Sequence, residues 1–175
     1  MTNQIDAILF DMGGTLRRST KHDEATRAEH TKKILERIGS DAPALEFMHL
    51  LISREKAYRK WAKQSLVELD EARLWTGWLL PDFPPEKIAP LAVELNLLWR
   101  DARGARWMLP ETRQTVLGLY RGGYRLGLVS NTTSSVEVPA ALAQEGLDGC
   151  FDTIVLSCVV GKRKPGADIL LEAAA

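Results

Sequence analysis

Ile5-Asp6-Ala7-Ile8-Leu9-Phe10 is a short, mostly apolar run that leads directly into Asp11, and Asp11 leads into Met12-Gly13-Gly14-Thr15-Leu16. A run this short and this apolar reads as a strand buried on both faces. A carboxylate at the end of such a strand is costly unless something there uses its charge. The two glycines let the backbone turn sharply and approach a ligand closely. Strand, acidic tip and tight loop are together how an open α/β sheet presents a site. Taken alone, the same residues also suit an aspartate that merely starts a turn before Gly-Gly.

Beyond Leu16 the period changes from strand to helix. Ala25 to Ile38 carries Thr31, Ile34, Leu35 and Ile38 on one face, with Gly39 as its stop. Leu45 to Ala62 repeats the device with Leu45, Met48, Leu51, Ile52, Tyr58 and Ala62. Asp70 suits the N-cap of a short helix that Pro81 ends, and Pro84-Pro85 opens a fourth helix through Trp99. Four amphipathic helices with short joints predict a small helical bundle. After Pro110 the alternation resumes. Glu111 to Arg121 reads as helix, Tyr124 to Val129 as strand, Ser134 or Ser135 through Leu142 as helix and Phe151 to Leu156 as strand; Cys158 to Pro165 follows, and a last helix runs from there to the C-terminus. That order predicts a parallel sheet with right-handed crossovers. The expected fold is therefore α/β, with a core from residues 1–16 and 109–175 and an all-helical insertion over 17–108.

Charge narrows the class of partner. Lys plus Arg and Asp plus Glu balance at 23 each, which disfavours a nucleic-acid partner. No apolar run approaches a membrane span, and polar Thr2-Asn3-Gln4 precedes too short an apolar stretch for a signal peptide. Cys150 and Cys158 have no metal-like spacing and read as core thiols, so a cytoplasmic setting is expected. Trp61, Trp75, Trp78, Trp99 and Trp107 read as core of the bundle rather than as a lid. Arg100, Arg103 and Arg106, with Asp101 among them, read as a solvated face. His22, His30 and His49 are scattered and receive no ligand role.

Three motifs now fall in order. Phe10-Asp11-x-x-x-Thr15-Leu16 after an apolar strand resembles the first motif of the haloacid dehalogenase-like hydrolases. Leu128-Val129-Ser130-Asn131-Thr132 resembles the second, a strand ending in Ser or Thr, and Gly161-Lys162-Arg163-Lys164-Pro165 the third. The helical insertion resembles the family's cap of the dehalogenase and phosphoglycolate phosphatase type. The resemblance implies a Rossmann-like core and a magnesium-dependent phosphatase acting on a small phosphorylated metabolite through an aspartyl phosphate. It implies Asp11, Ser130 and Lys164 as catalytic residues. An Asp nucleophile must approach an already anionic group, so nearby donors and a cation have to offset the repulsion. Asp11 attacks, Ser130 donates to a phosphoryl oxygen, and Lys164 neutralises both charges. Asp11 and the Gly13 carbonyl are the implied Mg2+ ligands. Gly14, Thr15, Arg17 and Asn131 are the implied substrate contacts.

Two departures keep alternatives open. The family's phosphatases carry a second Asp two positions after the nucleophile as general acid and base, and here Gly13 occupies that position. A non-catalytic descendant, a metal-independent dehalogenase-like enzyme, or a phosphonate-cleaving hydrolase with a Schiff-base lysine such as Lys56, Lys60 or Lys63 would each tolerate that glycine. The acidic pair of the family's fourth motif is also missing. The expectation is that the C-terminal part of the core is absent and that Ile5–Phe10 forms an exposed apolar edge. The chain is then a fragment of a longer protein, or a homo-oligomer that covers this edge, and is not a competent enzyme by itself.

Overall fold

The computed structural model describes residues 5–175. In chain order the elements are β1 (Ala7–Phe10), β2 (Arg17–Ser19), α1 (Glu24–Ile38), α2 (Ala44–Ser65), α3 (Glu71–Leu74) with a π-helical turn (Trp75–Leu79), α4 (Pro85–Ile88) with a 3₁₀ turn (Ala89–Leu91), and α5 (Ala92–Arg103). There follow β3 (Arg106–Met108), α6 (Pro110–Arg121), β4 (Arg125–Ser130), α7 (Glu137–Gln144), a 3₁₀ turn (Asp148–Cys150), β5 (Thr153–Leu156), α8 (Ser157–Val160) and α9 (Ala167–Ala174).

The fold is α/β. A three-stranded parallel sheet in the order β1-β4-β5 aligns Phe10 with Leu128 and Ser130 with Leu156. All three strands therefore end on one edge of the sheet. Beneath it, Ile8 and Phe10 pack with Met12, Leu126, Leu128, Val138 and Phe151. The expectation that β1 is buried on both faces is corrected: Leu9 is 43% exposed. The helix on the other face, α9, packs on β4 and β5, while β1 lies at the margin of the sheet.

The insertion between β2 and β3 is helical. Asp23 and Asp70 cap α1 and α3 by accepting from the Thr26 and Arg73 N–H groups, and Gly39 ends α1 in the left-handed conformation. The fourth expected helix is broken into α4, the 3₁₀ turn and α5, because Pro90 lacks a backbone donor where an unbroken helix needs one. Trp75, Trp99 and Tyr58 are buried in one cluster with Ile34, Met48, Leu51 and Leu95, and the half-buried Trp61 and Trp78 pack against the Tyr58 ring and each other at the margin of that cluster. Among the described residues no helix is long and apolar enough to cross a membrane.

Two features differ from the sequence reading. Residues 17–19 and 106–108 are not helical but form an antiparallel ribbon, with Arg17 opposite Met108 and Ser19 opposite Arg106. The chain leaves the core and returns to it here, and pairing the two crossings satisfies their backbone groups. Gly104 permits the crossing: a Cβ there would lie 1.8 Å from the Thr20 carbonyl oxygen, and its φ is +151°. The second feature is the arginine stripe. Arg100 and Arg106 turn inward onto Glu137 of α7, and Arg103 onto Glu55 of α2, so the stripe is not a solvated face.

Candidate active site

Asp11 stands immediately beyond the carboxyl end of β1. The Lys164 ammonium donates to Asp11 Oδ1 at 2.7 Å and to the Val129 carbonyl at 2.5 Å. Val129 follows Leu128, the register partner of Phe10, so the ammonium spans the ends of β1 and β4. Ser130 is the last residue of β4 and is 5% exposed. Asp11, Ser130 and Lys164 thus lie at one edge of the sheet although 153 positions separate the first from the last. The Asp11 side chain remains 41% exposed, so its carboxylate is held on one oxygen and still meets solvent.

The loop carrying Lys164 is fixed from two directions. Asn131 grips the Lys164 backbone with both ends of its amide, accepting from the N–H at 2.9 Å and donating to the carbonyl at 2.9 Å. From the cap side, the segment after α2 pairs with the same loop. Glu68 N–H donates to the Gly161 carbonyl at 3.2 Å, and Arg163 N–H to the Leu66 carbonyl at 3.0 Å. The Glu68 side chain is fully buried; its Oε1 accepts from the Tyr58 hydroxyl and its Oε2 from Arg163, with Ser157 Oγ 3.0 Å from the same Oε2. Glu71 and Asn96 dock the insertion on the loop after β4, the first accepting from Ser135 N–H at 2.5 Å and the second donating to the Thr133 carbonyl at 2.6 Å.

The loop after Asp11 is a tight reversal. The Met12 carbonyl accepts from Leu16 and Arg17 N–H groups, and Gly14 N–H donates back to the Arg17 carbonyl. Gly13, Gly14 and Thr15 are exposed at its tip. Two of the expected substrate contacts are placed differently. The Arg17 guanidinium donates to Glu137 at 2.7 Å and is only 10% exposed, because Glu137 gathers Arg17, Arg100 and Arg106 around one carboxylate. Asn131 has both polar ends engaged by Lys164, which makes it a positioning residue for the ammonium. Nearby, burial pushes the Cys158 thiol up to about 12, with the Glu71 carboxylate adding to the shift, so this cysteine stays protonated and unreactive at neutral pH.

The described residues fit magnesium poorly. No group of three His, Cys, Asp or Glu side chains converges among them. The donors at the site are the Asp11 carboxylate, with one oxygen bonded to Lys164, and the carbonyl of Gly13. Magnesium seeks six oxygens in near-octahedral array.

Glu68 and Arg163 escape a reading of the sequence. Arg163 adjoins Lys164 in the third motif, so its neighbourhood was visible. Nothing in the local pattern marks Glu68, which looks like any charged residue between two helices.

A family model described as haloacid dehalogenase-like hydrolase matches residues 5–175. No curated protein sequence matches the chain. Solved structures similar to it include a HAD phosphatase from Thermococcus onnurineus, at 24% identity and TM-score 0.54 over 97% of this chain and 70% of that one. A predicted phosphoglycolate phosphatase from Haemophilus somnus gives 17% and 0.54 over 98% and 71%. An L-2-haloacid dehalogenase from Xanthobacter autotrophicus with chloropropionic acid covalently bound gives 16% and 0.51 over 97% and 63%. At these identities the likeness carries the fold.

Proposed function

The chain belongs to the haloacid dehalogenase-like hydrolases, and from that premise we propose that it cleaves small phosphate monoesters through a phosphoryl group carried on Asp11. The observation that carries this reading is the 2.7 Å contact between Lys164 Nζ and Asp11 Oδ1 at the ends of parallel strands. A carboxylate nucleophile must meet an anionic phosphoryl group, and Lys164 supplies the positive charge for both. An oxygen of Asp11 attacks phosphorus, the Oδ–P bond forms, and the bond to the leaving oxygen breaks with its electron pair on that oxygen. Water then attacks phosphorus, the Oδ–P bond breaks, phosphate leaves with a proton lost to solvent, and the carboxylate is restored. Ser130 donates to a phosphoryl oxygen. Among the described residues Asp11 and the Gly13 carbonyl are the groups that would hold magnesium, where it would offset phosphoryl charge, and a single carboxylate fits it poorly.

Gly13 shapes the kinetics. It neither protonates the leaving oxygen nor activates water. Esters whose leaving group departs as an anion, such as aryl phosphates, are therefore the preferred substrates, and breakdown of the Asp11 adduct is the slow step. Transfer to Asp11 does not need the efficient turnover that Gly13 withholds from the chain, so release of the leaving group from an aryl phosphate tests the reading. A burst of leaving group followed by slow turnover is expected, and Asp11→Asn should abolish it. An unchanged burst in Asp11→Asn would eliminate the assignment.

Gly13 also favours a second reading, attack by Asp11 on carbon with departure of a halide, which needs no acid. Turnover in isotopically labelled water separates the two. Attack of water on phosphorus puts label into phosphate, whereas attack on the carbonyl of an Asp11 ester puts it into Asp11.

A further inference from the structure

A basic cavity of about 410 Å³ opens between the outer end of the β2–β3 ribbon and α2. Lys21, Arg27, Lys56, Arg59, Arg103 and Arg106 line it, and Glu55 is the sole carboxylate among its lining residues. That carboxylate is already saturated. It accepts from Arg59 at 2.9 Å, from Arg103 at 2.5 Å and from Trp99 Nε1 at 3.2 Å. Arg106 is turned toward Glu137, 3.6 Å away. Lys21, Arg27 and Lys56 enter no ion pair among the described residues. Arg27 Nε is buried without a partner among the described residues. Burial holds the Arg103 guanidinium down to about 10; Glu55 opposes this, and Arg59, Arg100 and Arg106 add to it.

An ordinary solvated surface spreads such charges apart. Here they line one concave site, where Glu55 and Glu137 pair with Arg59, Arg103 and Arg106 and leave the charges of Lys21, Arg27 and Lys56 without a carboxylate among the described residues. Guanidinium forks and lysine ammonium groups together suit an oxyanion with several charged oxygens. The volume is within the range of small-molecule sites.

We propose that this cavity binds a polyvalent oxyanion of the phosphate or pyrophosphate type. Such an anion has two sources, a free ligand or the remote anionic group of a substrate whose reacting end lies at Asp11. The ribbon links the two places: Ser19 at the edge of the cavity is two strand residues, about 7 Å of extended backbone, beyond Arg17, and Arg17 bridges to Gly13 in the Asp11 loop.

Calorimetric titration of the full chain with sodium pyrophosphate tests the proposal without any need for catalysis. One saturable site is expected, weakening as salt is added. Lys21 and Lys56 are both exposed, so Lys21→Ala/Lys56→Ala should keep the fold, which a circular-dichroism melt checks. That double variant should weaken binding by about tenfold or more, whereas Lys164→Met should leave it in place. Absence of saturable binding, equal affinity in the double variant, or loss of affinity in Lys164→Met would overturn the proposal. Kinetics then separate the sources. If the cavity takes a substrate's remote group, the double variant raises KM for a bisphosphorylated sugar and not for an aryl monophosphate. If it takes a free ligand, neither KM moves and pyrophosphate binds alongside the aryl phosphate.

Discussion

Replacing Gly13 with aspartate restores a proton donor to a loop that has none, and the backbone there accepts it. A Cβ built on Gly13 meets no atom within 4 Å, and Gly13 is not among the residues with positive φ. The substitution therefore introduces no strain, and loss of glycine's freedom in the unfolded chain contributes about 0.4–1 kcal/mol to stability. The new carboxylate lies two residues from Asp11, at the exposed tip of the same loop, and supplies the acid that Gly13 lacks. A positioned general acid is worth about 10²–10⁴-fold, or about 3–5 kcal/mol of barrier. The gain should follow the leaving group, because an alkoxide needs the proton far more than a nitrophenolate does. Rapid-quench measurement of the first release of leaving group, for an alkyl and an aryl phosphate, reads this directly. Gly13→Asp should raise the alkyl rate by about 10²-fold or more and the aryl rate much less. Equal acceleration of both substrates, or of neither, in a variant that melts at or above the wild-type temperature would refute the reasoning.

Three further outcomes follow from the packing. Arg163→Met leaves Glu68 buried with only hydroxyl partners and should cost about 3 kcal/mol or more in a urea melt; a loss below about 1 kcal/mol would mean the pair is no more than a surface contact. Asn131→Ala removes both hydrogen bonds that hold the Lys164 backbone, each worth about 0.5–1.5 kcal/mol; the burst rate should fall while pyrophosphate affinity stays, and an unchanged burst would show that Lys164 needs no clamp. Gly104→Ala forces a Cβ against the Thr20 carbonyl and should destabilise by at least about 1–3 kcal/mol, read as a lowered melting temperature; a neutral result would show that the ribbon yields easily.

Much of this architecture was legible in the residues. The strand entering Asp11, the helix ends at Gly39 and Asp70, and the return to α/β alternation after Pro110 are each local signals, and local signals survive folding. The ribbon was not legible, because Arg17-Arg18-Ser19 and Arg106-Trp107-Met108 pair only when the chain leaves and re-enters the core at one place. Nor was the fate of the arginines. Periodicity placed Arg100, Arg103 and Arg106 on one face but could not say that Glu55 and Glu137, on other helices, would meet it. At the site, motif order pointed to Asp11, Ser130 and Lys164, and parallel topology sets them on one edge of the sheet. The double grip of Asn131 on Lys164 and the buried Glu68 depend on contacts 33 and 95 positions apart, which no short pattern encodes.

The most direct measurement looks for the covalent group itself. An aryl phosphate reaction quenched during the burst, digested and mapped by mass spectrometry should show one phosphoryl group on the peptide containing Asp11, and none in Asp11→Asn. Continued release of leaving group with an unmodified Asp11 peptide would contradict the account.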